Sequence, residues 1–291
     1  MEQTVLGNIQ SQPEVLQRVF AERATFVDPF VREIREHQIR KIIFFGSGTS
    51  YNVSQIAAYY FKHLAHLPAE AQYPTVFKYY EQPDWTGFID PGQILFVGIS
   101  QSGTSVSTCE VMEYGKQLGC RTLVITGDLE SRITQFADTV THLLVGPELT
   151  PPETKGYTVS VLSVYLWALA TAHELGALPA EEYDELITEA GDFVADFQRV
   201  LDEAKGWYER NKTSILQSDR LFVLGYGVDY GSMLEAMLKV GEMLRIPTIG
   251  FEIEEFSHGP TMGLRPNQTI FMIGSDEAEF DRMLVFRDAY K

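Results

Sequence analysis

The chain has 291 residues, of which 45% are hydrophobic, and its formal net charge is −17 at pH 7. This length and hydrophobic content can bury a sizeable core, in one large or two small domains. The acidic balance argues against binding to nucleic acid or to an anionic membrane surface, because both require clustered Lys and Arg. An anionic ligand must therefore be held by a local arrangement of polar groups.

The chain shows no signal for export or for a membrane span. It has no apolar signal-peptide core, and no run approaches eighteen apolar residues. The two cysteines, Cys109 and Cys120, have neither metal-site spacing nor companion His ligands. We therefore expect reduced core thiols and a location in the cytoplasm.

The first segment, residues 12–38, has the apolar spacing of helices. Pro29 is expected to mark a break between two of them, because proline disrupts a helix interior. This helical lead-in, residues 1–38, is expected to pack on the body or on a second subunit. Its apolar stripe consists of Leu16, Val19, Phe20, Phe26, Phe30 and Ile34.

Buried strands then alternate with helices, a pattern typical of a doubly wound parallel sheet. Long helical segments follow at residues 158–175 and 181–211. Strands are predicted at residues 41–46, 76–80, 94–99, 121–126 and 142–145.

The second half of the chain repeats features of the first. Phe45-Gly-Ser-Gly48, followed by Tyr51, matches Leu224-Gly-Tyr-Gly227, followed by Tyr230, and residues 91–100 match residues 266–275. These turns are not a dinucleotide fingerprint, because a tyrosine fills the third glycine position. The repeat predicts two tandem α/β units.

The predicted domains are the lead-in (1–38), a first unit (39–178), and linker helices with a second unit (179–291). Lys291 corresponds to Lys116 of the first unit, inside a predicted helix at residues 276–291. We therefore expect the second unit to be incomplete at its C-terminus.

Residues 94–105 contain the main candidate binding site. A buried apolar strand breaks into a turn where Gly103 allows close approach of a ligand and a helix follows. The turn predicts an uncharged cradle for phosphate, although an ordinary Ser-rich helix cap is the alternative. Its polar side chains are those of Ser100, Gln101, Ser102, Thr104 and Ser105.

Other readings of this turn fail. It lacks the G-x-x-x-x-G-K-[ST] pattern of nucleotide P-loops and the second glycine of a nucleophile elbow. In the second unit the corresponding turn, after Ser275, continues Asp-Glu-Ala-Glu. Because this acidic sequence would repel phosphate, we expect one cradle per chain.

Acid–base chemistry is predicted for the second unit. Lys239 and Glu242 share one face of a helix over residues 230–244, and His258 lies on a loop or helix end. A carboxylate and an imidazole can act as general base and general acid near neutral pH. The alternatives are a solvated helix face for Glu242 and a structural histidine at His258.

Metal binding is a rival use of Glu242, Glu254, Glu255 and His258. The chain has no H-x-x-x-H or H-E-x-x-H pair, and its other histidines are scattered. We therefore expect no metal. Glu255, three residues before His258, could instead orient the imidazole ring.

Four motifs in order resemble the sugar isomerase (SIS) domain family. They are Gly46-Ser-Gly-Thr-Ser50, Ser100-Gln-Ser-Gly-Thr-Ser105, Glu153-Thr-Lys-Gly156 and Glu242 with His258-Gly-Pro260. The resemblance is nearest to the tandem-SIS isomerase half of glucosamine-6-phosphate synthases and to stand-alone fructosamine-6-phosphate deglycases. It implies flavodoxin-like, doubly wound units.

The resemblance also implies roles for individual residues. Glu242 would shuttle a proton at C1 and C2, and His258 would arrive from the neighbouring subunit, so that a homodimer shares the site. Residues implied to contact sugar hydroxyls, the 6-phosphate or the pocket floor, together with our other binding candidates, are Thr49, Ser50, Ser100, Gln101, Ser102, Thr104, Ser105, Thr154, Lys155 and Lys239.

The sequence departs from the synthases, because it has neither their Cys-led glutaminase domain nor their C-terminal tail with its ring-opening lysine. Without an ammonia source, breakdown of an amino-sugar phosphate is expected, by a deglycase or an isomerase/deaminase that needs no cofactor. A phosphosugar-binding sensor and a catalytically inactive structural partner are the alternatives.

Overall fold

A five-stranded parallel sheet organises the first of two units in the computed structural model, which describes residues 4–276 and 278–290. The units are Met1–Gln198 and Arg199–Lys291. The strands of the first are β1 (Lys41–Phe45), β2 (Ala69–Gln72), β3 (Ile94–Ile99), β4 (Arg121–Thr126) and β5 (Thr139–His142).

The order across this sheet is β2-β1-β3-β4-β5, and every neighbouring pair is parallel. This is the doubly wound order in which ligands bind where the strand order reverses, beyond the carboxyl ends of the strands. All six residues of β3 are buried, as expected for a central strand with helices on both faces. The α/β fold with parallel sheets is thus confirmed.

Helices of the first unit lie before the first strand, between strands and after the last strand. They are α1 (Val5–Gln10), α2 (Gln12–Ala21), α3 (Ala24–Glu36), α4 (Thr49–His63), α5 (Pro74–Tyr80), α6 (Val106–Gln117), α7 (Lys155–Glu174) and α8 (Ala180–Ala195). The next helix, α9 (Phe197–Leu216), is separated from α8 only by Asp196. The predicted helix over residues 181–211 is therefore two helices.

The predicted break at Pro29 is wrong, because Pro29 lies inside α3 and the chain turns instead at residues 22–23. Packing holds α3 together across the proline. Phe30 stacks on Trp167 of α7 with ring centroids 4.3 Å apart, and the indole Nε1 of Trp167 donates to the Phe26 carbonyl at 2.9 Å. These contacts offset the lost amide hydrogen, and they attach the lead-in to its own unit.

The predicted strand at residues 76–80 is also wrong, since α5 covers them. Its Val, Phe and Tyr residues favour strands, but Pro74 occupies the first helical turn and only Phe77 of this stretch is buried. The strand in this region is β2. It lies at a sheet edge and contains Ala, Glu, Ala and Gln, a composition without a strand signal.

The last strand lies three residues earlier than predicted. β5 covers residues 139–142, and the apolar residues Leu143 and Val145 are buried in the segment that follows. Pairing with β4 ends at His142, opposite Thr126. Buried residues at this edge therefore continue beyond the end of the strand. The apolar pattern alone could not distinguish the strand from the buried segment that follows it.

The second unit contains a three-stranded parallel sheet in the order β7-β6-β8. This order corresponds to β2-β1-β3 of the first unit. Its elements are β6 (Arg220–Gly225), α10 (Asp229–Leu244), β7 (Thr248–Glu252), α11 (Ile253–Ser257), β8 (Gln268–Met272) and α12 (Phe280–Ala289).

In each unit, the first strand and the helix that follows it lie close together at a glycine. A Cβ atom at Gly46 would lie 2.5 Å from the Ser50 carbonyl carbon, and one at Gly225 would lie 2.7 Å from the Asp229 carbonyl oxygen. In both units glycine thus lets the helix start close against the first strand. The tandem repeat and the domain boundaries stay predictions, and Lys291 lies outside the described residues.

The cysteines agree with the expected core thiols. Cys109 and Cys120 are free and buried. No helix within the described residues combines the length and apolarity that crossing a lipid bilayer requires.

Candidate functional site

A cleft of about 510 Å³ lies in the first unit, at the carboxyl ends of β1 and β3. These strands are parallel neighbours, with Phe45 paired to Gly98, so the turns that follow them meet at one edge of the sheet. The opposite wall consists of residues 145–151 and Glu153. The side chains with hydroxyl or amide groups that line the cleft are those of Ser47, Ser50, Ser100, Gln101, Ser102, Ser105, Thr108 and Thr150.

Backbone hydrogen bonds fix the turn at residues 100–105. The Ser100 amide donates to the Ile125 carbonyl at 3.1 Å, the Gln101 carbonyl accepts from Gly127 at 2.9 Å, and the Gly103 carbonyl accepts from Ile133 at 3.0 Å. The turn is therefore tied to the end of β4 and to the segment after it. A ligand would meet a surface that is already ordered.

Gly103 is required by this geometry. Its φ is +63°, in the left-handed region, and a Cβ atom there would lie 1.8 Å from the Ser131 hydroxyl. The sequence predicts that a ligand approaches Gly103 closely. In the structure, the side chain of Ser131 makes this close approach.

Two helices begin at the cleft without a side-chain cap from their N-cap residues. These are α4, which starts after Gly48, and α6, which starts after Ser105. The hydroxyls of Ser47 and Ser107 lie 3.4 Å apart and connect the turn after β1 to the first turn of α6. First-turn amides of a helix point outward and carry a partial positive charge, so this corner of the cleft attracts anions.

The start of α7 differs, because the Glu148 carboxylate already occupies it. Glu148 Oε1 accepts from the Thr154 amide at 2.8 Å, the Thr154 hydroxyl at 2.7 Å and the Lys155 amide at 3.1 Å. Its Oε2 accepts from the Gly156 amide at 3.0 Å and from Gln101 Nε2 at 3.2 Å. A ligand anion would find this helix start neutralised.

The predicted binding residues of the first unit divide into two groups. The members that line the cleft are Ser50, Ser100, Gln101, Ser102 and Ser105. Thr49 is buried at the start of α4, and Thr104 is exposed with its hydroxyl 2.9 Å from that of Ser102. Thr154 and Lys155 donate hydrogen bonds to the Glu148 carboxylate. The buried Lys155 ammonium donates to the Pro147 carbonyl at 2.6 Å.

Sequence reasoning missed several lining side chains. Glu148 and Glu153 follow β5, and Asp128 follows β4, so all three lie beyond strand ends at the edge that carries the cradle. Their place after strand ends was a usable signal. The binding candidates follow from motifs, and the motif Glu153-Thr-Lys-Gly156 begins only at Glu153, so Asp128 and Glu148 belong to none of them.

The cleft is acidic apart from the two helix starts. Asp128, Glu148 and Glu153 line it, and none of the lining residues in the described chain is Lys or Arg. Hydroxyls, amides and helix dipoles must therefore hold any anionic group. The carboxylates favour a ligand that carries a positive charge elsewhere.

In the second unit, Lys239 and Glu242 lie together as the helical spacing predicted. The Lys239 ammonium lies 2.8 Å from Glu242 Oε2 and 3.4 Å from Glu235 Oε1. The Glu242 side chain is 40% exposed, whereas Glu235 is buried. Lys239 thus orients an accessible carboxylate.

His258 is exposed at the C-terminal end of α11, as predicted, and its amide donates to the Glu255 carbonyl at 3.2 Å. Glu252 caps the other end of this helix through the amides of Glu254 and Glu255. A hydrogen bond from Arg282 lowers the pKa of the Glu254 carboxyl, despite the smaller opposing effect of desolvation. The catalytic pairing of Glu242 with His258 stays a prediction.

The turn after β8 is filled by a carboxylate of its own unit. Asp229 Oδ2 accepts from the Ser275 amide at 2.6 Å and from its hydroxyl at 2.7 Å. Ser275 is the counterpart of Ser100 in the sequence repeat. The position that corresponds to the phosphate cradle is therefore occupied by the Asp229 carboxylate. Glu277, part of the acidic sequence predicted to repel phosphate, lies outside the described residues.

Within residues 4–276 and 278–290, no group of three or more His, Cys, Asp or Glu side chains could hold a metal ion. Glu254, one of the rival candidates, pairs with Arg282 at 2.5 Å.

Comparison with known proteins gives consistent matches. Residues 37–171 match the SIS domain family. The glutamine–fructose-6-phosphate aminotransferase (isomerizing) of Clostridium tetani is 27% identical over 284 residues, which cover 96% of this chain and 46% of the relative. The chain thus spans about half the length of the curated relatives it matches.

Solved structures agree with this match. A candidate phosphosugar isomerase from Clostridium difficile 630 is 28% identical with a TM-score of 0.85, covering 99% of this chain and 80% of that one. The C-terminal domain of glucosamine-fructose-6-phosphate aminotransferase from Francisella tularensis shares the fold, with a TM-score of 0.87 at 20% identity and the same coverage. The chain therefore contains a SIS domain and is homologous, over almost its full length, to part of the glutamine–fructose-6-phosphate aminotransferases.

Proposed function

We propose that this chain is an enzyme of amino-sugar phosphate metabolism, acting on fructosamine 6-phosphates or glucosamine 6-phosphate. The observation that carries the proposal is the corner of the cleft where α4 and α6 begin beside the hydroxyls of Ser50, Ser100, Ser102 and Ser105. This corner offers amide and hydroxyl donors without a cation, which suits a phosphate group. The homology to part of the aminotransferases supports the same substrate class.

The acidic wall supports a substrate that carries an amine. Asp128, Glu148 and Glu153 would repel a ligand whose only charge is its phosphate. An amino-sugar phosphate is zwitterionic, so its ammonium group would compensate these carboxylates while the phosphate lies at the helix starts. This charge pattern favours amino-sugar phosphates over hexose phosphates that lack an amine.

The proposed chemistry is a proton transfer between C1 and C2. In a 1-amino-ketose phosphate, Glu242 takes a proton from C1, a C1–C2 double bond forms, and His258 protonates the C2 oxygen. Return of the proton to C2 gives an imine at C1, which water hydrolyses to an aldose phosphate and a free amine. In a 2-amino-aldose phosphate the same transfer, starting from C2, releases ammonia.

The test is turnover of both substrate types, followed by enzymatic detection of hexose phosphate and of released amine. Glu242→Gln is expected to lower kcat by about a hundredfold or more, in the range found for a lost general base, with little change in binding. Glu209→Gln, on an exposed pair with Lys212 of α9, is the matched control. Binding without turnover by the wild-type chain would instead favour a sensor.

The proposal includes a homodimer in which His258 comes from the partner subunit. Glu242→Gln and His258→Ala variants would then each be inactive, but a mixture that exchanges subunits would regain about a quarter of the activity, because each mixed dimer has one intact site. A mixture with no recovery, in material shown by light scattering to have exchanged, would contradict the shared site.

A further inference from the structure

Glu148 connects the phosphate cradle to the start of α7. Its carboxylate accepts five hydrogen bonds, of which four come from residues 154–156 and the fifth from Gln101. A carboxylate has about four lone-pair sites, so this one is fully used by the protein. Glu148 is therefore unsuited to proton transfer, and its effect on a ligand must pass through its neighbours.

Gln101 is the neighbour that faces the cleft. Its main-chain carbonyl is tied to the Gly127 amide at 2.9 Å, while its side-chain Nε2 donates to Glu148 Oε2 at 3.2 Å. Its Oε1 is buried, and no hydrogen-bond partner for it lies in the described residues. The bond to Glu148 is thus the polar contact that orients this amide.

Gly156 makes room for the arrangement. A Cβ atom at this position would lie 1.9 Å from Gln101 Oε1 and 2.4 Å from Glu153 Oε1. The absence of a side chain at Gly156 lets the Gln101 amide lie over the first turn of α7, within reach of Glu148. The first turn of α7, the Glu148 carboxylate and the phosphate cradle are thus connected to one another.

We propose that Glu148 is a positioning residue, which sets the orientation of Gln101 and thereby the shape of the phosphate cradle. Glu148 also belongs to the wall at residues 145–151, so the same bond fixes that wall against the cradle. The inference rests on the proposed function, because it treats residues 100–105 as the phosphate site. Glu148 acts on affinity through Gln101 and takes no part in the proton transfer.

A double-mutant cycle tests this coupling. Glu148→Gln keeps the size of the side chain but places an NH₂ group against the donors of Gln101 and Gly156, and Gln101→Ala removes the oriented amide. Each change is expected to raise the Kd for glucosamine 6-phosphate, measured by calorimetry, by about tenfold, the loss of a hydrogen bond to a charged group. The Kd of the double variant should also be raised about tenfold and not about a hundredfold, because both changes break the same hydrogen bond between Gln101 and Glu148.

Further readouts separate positioning from general support of the fold. The kcat of Glu148→Gln should stay within about threefold of wild type while KM rises, since the reacting carbons are untouched. Glu174→Gln, which pairs with Arg35 at the other end of α7, should change neither constant. A Kd unchanged in Glu148→Gln, or additive effects in the double variant, would overturn the inference.

Gly156→Ala provides the second test if Glu148→Gln fails to fold. The added methyl group displaces the Gln101 amide without removing Glu148, and alanine favours the helix. We expect a Kd raised by about fivefold or more, as for a weakened hydrogen bond, with no fall in Tm; an unchanged Kd contradicts the inference.

The wild-type chain distinguishes this failure from failure of the proposed function. Wild-type protein that binds neither glucosamine 6-phosphate nor inorganic phosphate overturns both proposals. Wild-type binding with an additive cycle overturns only the role of Glu148.

Discussion

Arg121 and Glu33 form a two-pronged ion pair that joins β4 to α3. Arg121 Nε donates to Glu33 Oε2 at 3.1 Å, and its Nη2 donates to Oε1 at 3.1 Å. The Thr139 hydroxyl of β5 donates to Oε1 at 2.6 Å. Glu33 is only 7% exposed, so this carboxylate fixes the lead-in helix to the edge of the sheet.

Glu33→Ala should therefore be strongly destabilising. Removing Glu33 leaves the partly exposed Arg121 guanidinium with only the more distant Asp138 carboxylate, which costs about 2 kcal/mol of unfolding free energy, between the values for exposed and for fully buried pairs. Urea denaturation measures the change. Glu36→Ala, at an exposed position of α3, is the control, and equal losses in the two variants would show that the pair contributes nothing.

Gly103→Ala should abolish the cradle. The residue has φ of +63°, and the new methyl group would overlap the Ser131 side chain. Gly87→Ala is a matched control, because Gly87 has φ of +70° with nothing within 4 Å of the added atom. Both changes carry about 1 kcal/mol of backbone strain, but only Gly103→Ala should weaken binding of glucosamine 6-phosphate in a titration. Equal affinities would contradict the described turn.

Asp138→Asn should make stability less sensitive to acid. Burial raises the pKa of the Asp138 carboxyl, but hydrogen bonds from Thr122 and the charges of Arg121 and Lys116 outweigh it, so the net pKa lies below its ordinary value of 3.8. The stabilisation is complete above the unfolded pKa and is lost as pH falls through the folded pKa. Scanning calorimetry at pH 6 and pH 3 should give a smaller fall in Tm for Asp138→Asn than for wild type; an equal or larger fall would contradict this.

The two thiols should be unreactive in the folded chain. Burial raises the pKa of Cys120 to about 12 and also raises the pKa of Cys109, so little thiolate forms at neutral pH. A chromogenic disulfide reagent should label neither thiol in the native protein and both in guanidinium chloride. Rapid native labelling would show that the core around α6 opens.

The sequence was sufficient where one local pattern decides the outcome. Residues 94–99 are apolar without alternation, and the run has the length of a strand buried on both faces and is too short for an ordinary buried helix. The hydroxyl-rich turn beyond that strand was likewise located correctly, because its position follows from β3 and α6.

The sequence was insufficient where tertiary contacts compete with local preference. Residues 76–80 favour a strand by composition, yet a proline start and one buried face make them a helix. Pro29 favours a break, yet stacking on Trp167 keeps the helix continuous. Glu148 is six residues from the Thr154 hydroxyl it accepts and 47 from Gln101, so its role depends on a loop path that no spacing rule gives.

The Asp229 carboxylate bound to Ser275 bears on how many ligands one chain can take. Because the turn after β8 is closed by an internal anion, the turn after β3 is the one of these two described turns that remains open to a phosphate. Calorimetric titration with glucosamine 6-phosphate should therefore give a stoichiometry of one ligand per polypeptide, even though the two halves of the sequence resemble each other.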